Sequence, residues 1–296
     1  MMQAHGPQLR LYMNLKALES LPPTSAGPHT GSFCERMSKI REAGFEGVQF
    51  DIPGTRDQLN DCARLGLGIA AGARINAPEE SSPLAERLAA DGYECATLHL
   101  GWGLEDDDEA ARLIGSVIEA SERWRIPLYV ETHRATIFQD MWRTVQFVTR
   151  FPEVLINGDF SHWYTGQEMV YGGFEKKFAF IQPVLERVRF LHGRIGNPGC
   201  IQVRIDEQAK EQPAYVKHFE QLWTASFREF LLSASDDAFI CFTPELLGPN
   251  IYYARTFITG DGPVEESDRW EQSLILNRIA RRCFENARAE LSECHP

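Results

Sequence analysis

Hydrophobic residues along this chain fall into two alternating patterns. Short runs rich in Val, Ile, Leu and Phe occur at 9–15, 45–52, 68–75, 95–102, 127–133, 154–160, 188–195 and 238–245. Runs of this length, apolar on both faces, are the signature of strands buried within a parallel sheet. Helical stretches separate them, and several carry start and stop signals. Ser32-Phe33-Cys34-Glu35 is a capping box, and Gly44 stops that helix just before the second strand. Thr55-x-x-Gln58 opens the next helix and Gly66 closes it; Ser82-Pro83 opens the third and Gly92 closes it; Thr136-x-x-Gln139 opens the fifth. A last helix over about 266–292 has Trp270, Leu274, Ile275, Ile279 and Phe284 as a buried stripe.

Eight strands alternating with helices predict an α/β fold, and eight is the number that closes a parallel sheet. The expectation is a single (β/α)8 TIM barrel domain over residues 1–296. An open doubly wound sheet is the structural alternative, but it scatters the polar strand ends described next. No Pro-, Gly- or Ser-rich linker divides the chain. The longest irregular stretches are 16–31, 163–173, 196–213 and 246–265, and three of the four follow strands that end in unusual residues. Long loops at strand ends commonly build active sites.

Four of those ends carry acids or imidazole: Glu131 in PLYVETHR, Asp159 in VLINGDFSHW, His192 in VRFLHGRIG and Glu245 in AFICFTPELLG. One such residue alone reads as a solvated loop residue or an ion-pair partner. All four lie at the carboxyl ends of strands five to eight, and in a barrel those ends converge on one mouth. Three carboxylates and an imidazole there make an oxygen-rich site for one divalent cation. The imidazole shifts preference from Mg²⁺ towards Mn²⁺, Co²⁺, Fe²⁺ or Zn²⁺, with Mn²⁺ the first expectation.

Other residues gather around these four. Asp159-x-x-His162 can bring both side chains over the mouth, unless His162 merely caps the following loop. Arg194 lies two after His192, on the same strand face. It can reach substrate oxygens or pair with a barrel acid. His133, two after Glu131, reads as support rather than chemistry. His99 ends strand four beside Trp102, and both are candidates for contact with a ligand; Trp102 and Trp163 serve equally well as a wall for a sugar ring or as packing. Cys241, within a strand, reads as a small core residue.

Composition narrows the function. Thirty Lys and Arg against 42 Asp and Glu give a net charge of −12. No basic face suggests nucleic acid as a partner, and an acidic chain suits an anionic membrane poorly. No run of 18 apolar residues predicts a membrane span. The N-terminal MMQAHGPQLR has no apolar core of a signal peptide. Seven scattered cysteines without a CxxC pair read as reduced thiols, so a cytoplasmic location is expected.

With these residues in hand, the chain resembles the xylose-isomerase-like barrel superfamily, also called the sugar phosphate isomerase/epimerase family. It looks most like ketose 3-epimerases, hydroxypyruvate isomerases and inosose-processing enzymes. The resemblance runs from LRLYMNLK through TPELLGPN. It implies one divalent metal held by Glu131, Asp159 of the D-x-x-H motif, His192 and Glu245. HGRIGNPG is similar to the strand-seven loop of hydroxypyruvate isomerases, but with His192 in place of a Gln and Cys200 in place of an Arg. Those departures count against a small hydroxyketone substrate. The trinuclear zinc endonucleases of the same superfamily need a His on strand three and a D-x-H after the strand-seven His; GARIN and residues 193–206 contain neither.

The resemblance implies an isomerase or epimerase acting on a ketose or related polyol ketone. The metal acts as a Lewis acid towards an enediolate, and Glu131 and Glu245 take and return the proton. Proton return to the opposite face is epimerisation, return to the adjoining carbon is isomerisation, and expulsion of a leaving group makes the same site a lyase or dehydratase acting on a keto-sugar or inosose. His162 and Arg194 hold substrate oxygens. A non-catalytic sugar-binding barrel subunit is the alternative from another class, although a pure binder needs no second glutamate. A carbohydrate is the expected small-molecule partner. No Gly-rich phosphate cradle follows strands seven or eight, favouring a non-phosphorylated one. Homo-dimers or tetramers are expected from resemblance alone.

Overall fold

Eight parallel strands form a closed barrel in sequence order, β1 (Gln8–Asn14), β2 (Gly47–Phe50), β3 (Gly68–Ile75), β4 (Cys95–Leu100), β5 (Leu128–Glu131), β6 (Leu155–Gly158), β7 (Val188–Gly193) and β8 (Phe239–Pro244). β1 closes the ring by pairing with β8, Leu9 opposite Ile240 and Leu11 opposite Phe242. The fold is the expected (β/α)8 barrel. The computed structural model describes residues 6–260 and 262–294. The first five residues of the segment read for a leader, Asp261, the side chain of Cys294 and residues 295–296 lie outside them.

The helices are α1 (Phe33–Glu42), α2 (Arg56–Leu65), α3 (Ser81–Asp91), α4 (Asp107–Trp124), α5 (Met141–Arg150), α6 (Phe160–Gly166), α7 (Phe174–Phe180), α8 (Gln182–Leu185), α9 (Ala214–Ser233) and α10 (Arg269–Cys294). Two of the three Ser/Thr-x-x-Glu/Gln helix starts read from the sequence are made as capping boxes. Ser32 and Glu35 cap α1, and Thr55 and Gln58 cap α2. Gly66 and Gly92 terminate their helices in the left-handed conformation that glycine adopts without strain.

Four boundaries differ from expectation. Thr136 does not open the fifth helix. Its hydroxyl donates to His133 O at 2.7 Å and accepts from Phe138 N, closing a local turn. α5 starts five residues later, capped by Asp140, which accepts from Arg143 N at 2.8 Å. α3 begins at Ser81, after a short 3-10 turn at Pro78–Glu80. α10 begins at Arg269 because part of 246–265 forms a hairpin of β9 (Thr256–Thr259) and β10 (Gly262–Glu265). Its buried stripe is Trp270, Leu276, Ile279 and Phe284, with Leu274 and Ile275 only half-buried. The stretch 163–173, expected to be irregular, starts inside α6.

Within the barrel, side chains two residues apart share a face. Tyr12, Ala70, Cys95, Tyr129, Phe190 and Cys241 pack together as one inner cluster. Cys241 is thus the core residue expected. One step towards the carboxyl ends stand Asn14, Gly72, Thr97, Glu131, His192 and Thr243; a further step brings Arg74, His99, His133, Arg194 and Glu245. The strand interiors therefore grade from an apolar floor to a charged mouth, at the end where barrel enzymes place their sites. Six cysteines with described side chains are free thiols. Among the described residues no helix is long and apolar enough to cross a membrane.

Candidate metal centre

The four strand-end residues converge. Each of Glu131, Asp159, His192 and Glu245 offers a ligand atom, and these atoms lie within 4.8 Å of one another; all four residues are buried. Glu131 is the last residue of β5, and His192 stands in β7 opposite Thr243 of β8. Asp159 follows β6 and caps α6, its Oδ1 accepting from Ser161 N at 3.1 Å. The immediate start of α6 turns His162 back over the same mouth, with Nε2 3.5 Å from Asp159 Oδ2. Gly193 lets the β7 strand lie close to β8. A Cβ there would stand 2.3 Å from the Phe242 ring.

Neighbouring amides orient His192. Its Nε2 lies 3.0 Å from Gln49 Oε1, and its Nδ1 lies 3.0 Å from Asn157 Nδ2, 3.2 Å from Glu131 Oε2 and 3.6 Å from Glu245 Oε1. Gln49 Oε1 also accepts from Asn14 Nδ2 at 3.0 Å, which fixes it as the oxygen end. A neutral His192 therefore keeps its proton on Nε2, and its Nδ1 accepts from Asn157 Nδ2 on the side where the Glu131 and Glu245 carboxylates lie, the side from which a metal ion would be held.

Arg194 is wholly buried. It donates to Asp159 Oδ2, to Glu245 Oε2 at 2.7 Å and to Ser161 Oγ at 3.0 Å, and packs over the Tyr253 ring at 4.6 Å. Of its two sequence readings, the pairing with barrel acids is the one observed. Several polar atoms around it have no hydrogen bond: Glu131 Oε1, Asn157 Oδ1, His162 Nδ1, Thr243 Oγ1 and Arg194 Nη1. Buried polar groups are normally satisfied, so this concentration marks a place built around something further. The set fits a divalent cation. Three carboxylates and one oriented imidazole are ligands for Mn²⁺-type ions, and Glu131 Oε1, whose one polar neighbour is His99 Nε2 at 3.3 Å, has room to serve such an ion.

The electrostatics agree with that fit. Burial alone would lower the His192 pKa, but Glu245 and Glu131 outweigh it and bring it to about 9. Burial alone would raise Glu131, but His192 and His99 hold it well below the usual carboxylate range. Burial pushes Glu245 up to about 7 against the pull of His192 and Arg194. The neighbouring carboxylates Glu131 and Asp159 push it in the same direction as burial. Burial also lowers His162 well below an ordinary imidazole, with His133 and Arg194 adding to it, and takes His133 to about 3.

The cluster opens into a pocket of about 390 Å³ lined by Gln49, Asp51, Arg74, His99, His133 and Tyr253 as well as Glu131, His192 and Glu245. His99 lies 3.3 Å from Glu131 Oε1. His99, His133 and His162 stack in series, with ring centroids 4.0 and 3.8 Å apart. His162 is the buried end of that stack and is not among the pocket-lining residues. Trp102 is not among them either. The residue is 54% exposed, and its ring lies 3.9 Å under the Arg74 guanidinium. Trp163 is core, its indole nitrogen bonded to Phe138 O. A larger groove of about 560 Å³ lies outside the barrel along α7, α9 and α10 and contains none of this chemistry. Asn14, Gln49, Asp51, Arg74 and Asn157 are site residues missed in the sequence. The same two-residue period that links Tyr129 to Glu131 links Gln49 to Asp51 and Asn157 to Asp159, and was the available signal.

No protein-family model matches the chain, and no curated protein sequence matches it. Solved structures do match. A xylose isomerase-like TIM barrel protein from Mycobacterium smegmatis in complex with magnesium has a TM-score of 0.54 and 14% identity, covering 95% of this chain and 98% of that one. The two chains share the closed eight-stranded parallel barrel. A xylose isomerase domain protein from Planctomyces limnophilus has a TM-score of 0.54 and 12% identity over 98% of this chain and 100% of that one. The probable 3-DHS dehydratase of petrobactin synthesis from Bacillus anthracis has a TM-score of 0.55 and 15% identity over 90% and 98%. At such identities the likeness establishes the barrel and not the reaction.

Proposed function

We propose that this chain is a divalent-metal-dependent enzyme that moves a proton at the carbon beside a carbonyl of a ketose or related polyol ketone. The observation that carries this reading is the convergence of four buried ligand atoms within 4.8 Å at the barrel mouth. Glu131, Asp159, His192 and Glu245 would hold the ion. When bound, the cation supplies Lewis-acid stabilisation of negative charge developing on substrate oxygen. Glu131, drawn towards its ionised form by His192 and His99, is suited to take the proton. Glu245 comes from a strand three places round the ring and is suited to deliver it. Arg194, behind the pocket lining, would hold Asp159 and Glu245 in place, and His99 and His133 form one wall with His162 packed behind them.

Epimerisation, isomerisation and elimination share this first proton transfer. The magnesium-bound barrel from Mycobacterium smegmatis and the Bacillus anthracis dehydratase make metal loading and a keto-substrate panel reasonable first trials. Incubation of the Mn²⁺-loaded protein with ketoses and keto-polyols in D₂O tests the proposal. Deuterium is expected at a carbon next to the carbonyl, and the carbon labelled, or loss of water, names the outcome. Absence of exchange across the panel, with metal bound, would refute proton abstraction.

A further inference from the structure

Arg74 is a pocket-lining cation that the proposed chemistry leaves unused. It stands on β3 opposite His99 of β4, two residues after Gly72, and both Gly72 and Arg74 line the pocket. Its guanidinium is held on three sides by groups other than carboxylates. Nη1 donates to Gly101 O, Nη2 lies 3.3 Å from His99 Nδ1, and the Trp102 ring lies beneath at 3.9 Å. Among the described residues it forms no ion pair, whereas the deeper Arg194 has two carboxylates. Burial without a counter-ion lowers its pKa from that of a free guanidinium. A guanidinium carries five N–H donors in a rigid plane, so donors remain for a ligand in the pocket.

The position of Arg74 relative to the cluster is specific. His99 separates the two, with Nδ1 towards Arg74 and Nε2 3.3 Å from Glu131 Oε1. A group bound at Arg74 is thus one imidazole width, a few carbon atoms, from the atoms that would take a proton.

We propose that Arg74 takes the carboxylate of a polyhydroxylated keto acid, fixing the substrate's far end while its carbonyl end lies over Glu131 and Glu245. This rests on the proposed metal-dependent function and narrows its substrate class. A planar guanidinium fork matches a carboxylate with two parallel hydrogen bonds. A phosphate dianion is the poorer match. Arg74 is the only Lys or Arg among the pocket-lining residues, and Asp51 faces the same space.

Isothermal titration of the Mn²⁺-loaded protein with D-fructuronate, D-fructose and D-fructose 6-phosphate tests this, since the three share a ketohexose chain and differ at C6. Fructuronate is expected to bind about tenfold or more tightly than fructose, the scale of a charge-assisted bidentate contact. Arg74→Met keeps an apolar stem over Trp102 and is expected to erase that preference with metal content unchanged; Arg74→Lys is expected to keep part of it. Equal binding of fructuronate and fructose, tighter binding of the phosphate, or a preference that survives in Arg74→Met would overturn the proposal. Failure of the wild-type protein to take up Mn²⁺ would instead defeat the metal-dependent reading, and the same titrations without metal then judge Arg74 on its own.

Discussion

At Arg194 two buried acids share one guanidinium, and each lies beside a carboxylate or imidazole that a cation would also claim. Removing the guanidinium leaves Asp159 and Glu245 buried without their counter-charge. Breaking a buried pair in this way commonly costs about 3–5 kcal/mol. Arg194→Ala is therefore expected to lower the melting temperature of metal-free protein sharply, with saturating Mn²⁺ restoring part of the loss. Unfolding followed by circular dichroism with and without metal checks this, and an unchanged melting temperature would show that the pair contributes nothing. Glu131→Gln and Glu245→Gln keep the shape of the side chains and remove a base. Each is expected to reduce turnover by about 10²–10⁴-fold, more if the ion is lost. Single-turnover rates at confirmed metal occupancy measure the effect, and a near-wild-type rate in either variant would remove that glutamate from the acid/base pair.

At the scale of the element, β7 places His192 and Arg194 while running tightly along β8. A Cβ at Gly193 would meet the Phe242 ring at 2.3 Å, and ring and strand would both have to move. Gly193→Ala is expected to cost about 1–3 kcal/mol through overpacking and to weaken metal binding as well. Urea unfolding alongside a metal titration separates it from an inert core change, which would affect stability alone. The strands were legible because burial on both faces leaves short apolar runs, and β3 matched at both ends. The capping boxes of α1 and α2 were legible because one side chain bonding to one backbone N–H is a local event. Thr136 misled because a hydroxyl can close a turn as readily as cap a helix. Glu131, Asp159, His192 and Glu245 stood out by charge at apolar strand ends. Arg74 and Gln49 lie on strands three and two and Asp51 just past strand two, where no acid–imidazole pattern drew attention, and only barrel closure brings them opposite β7 and β8. That Arg194 would bridge two of the proposed ligands depended on the distance between β6 and β8 across the mouth.

For the whole molecule, the closed barrel gathers three carboxylates that can be stabilised by protons or by a cation. In metal-free protein His192 is raised from 6.5 to about 9 and Glu245 from 4.5 to about 7. Both are raised above their unfolded values, so their contribution is fully present at acid pH and is lost as pH rises through about 7 and then about 9. Glu131, held low, has the opposite sign, and its contribution is lost only as pH falls below the ordinary carboxylate range. Metal-free protein is therefore expected to melt at lower temperature at pH 9 than at pH 6. A cation must displace the His192 proton, so metal affinity is expected to rise over that same interval with proton release. Calorimetric titrations in buffers of different ionisation enthalpy read that release directly. Excess metal, at about 100 times its dissociation constant, should add about 2.7 kcal/mol to stability. The measurement closest to the central claim is metal content after loading and desalting, compared between wild type, Asp159→Asn and His192→Ala. The account predicts about one ion per chain in the wild type and strong depletion in both variants. Equal metal content in all three would contradict it.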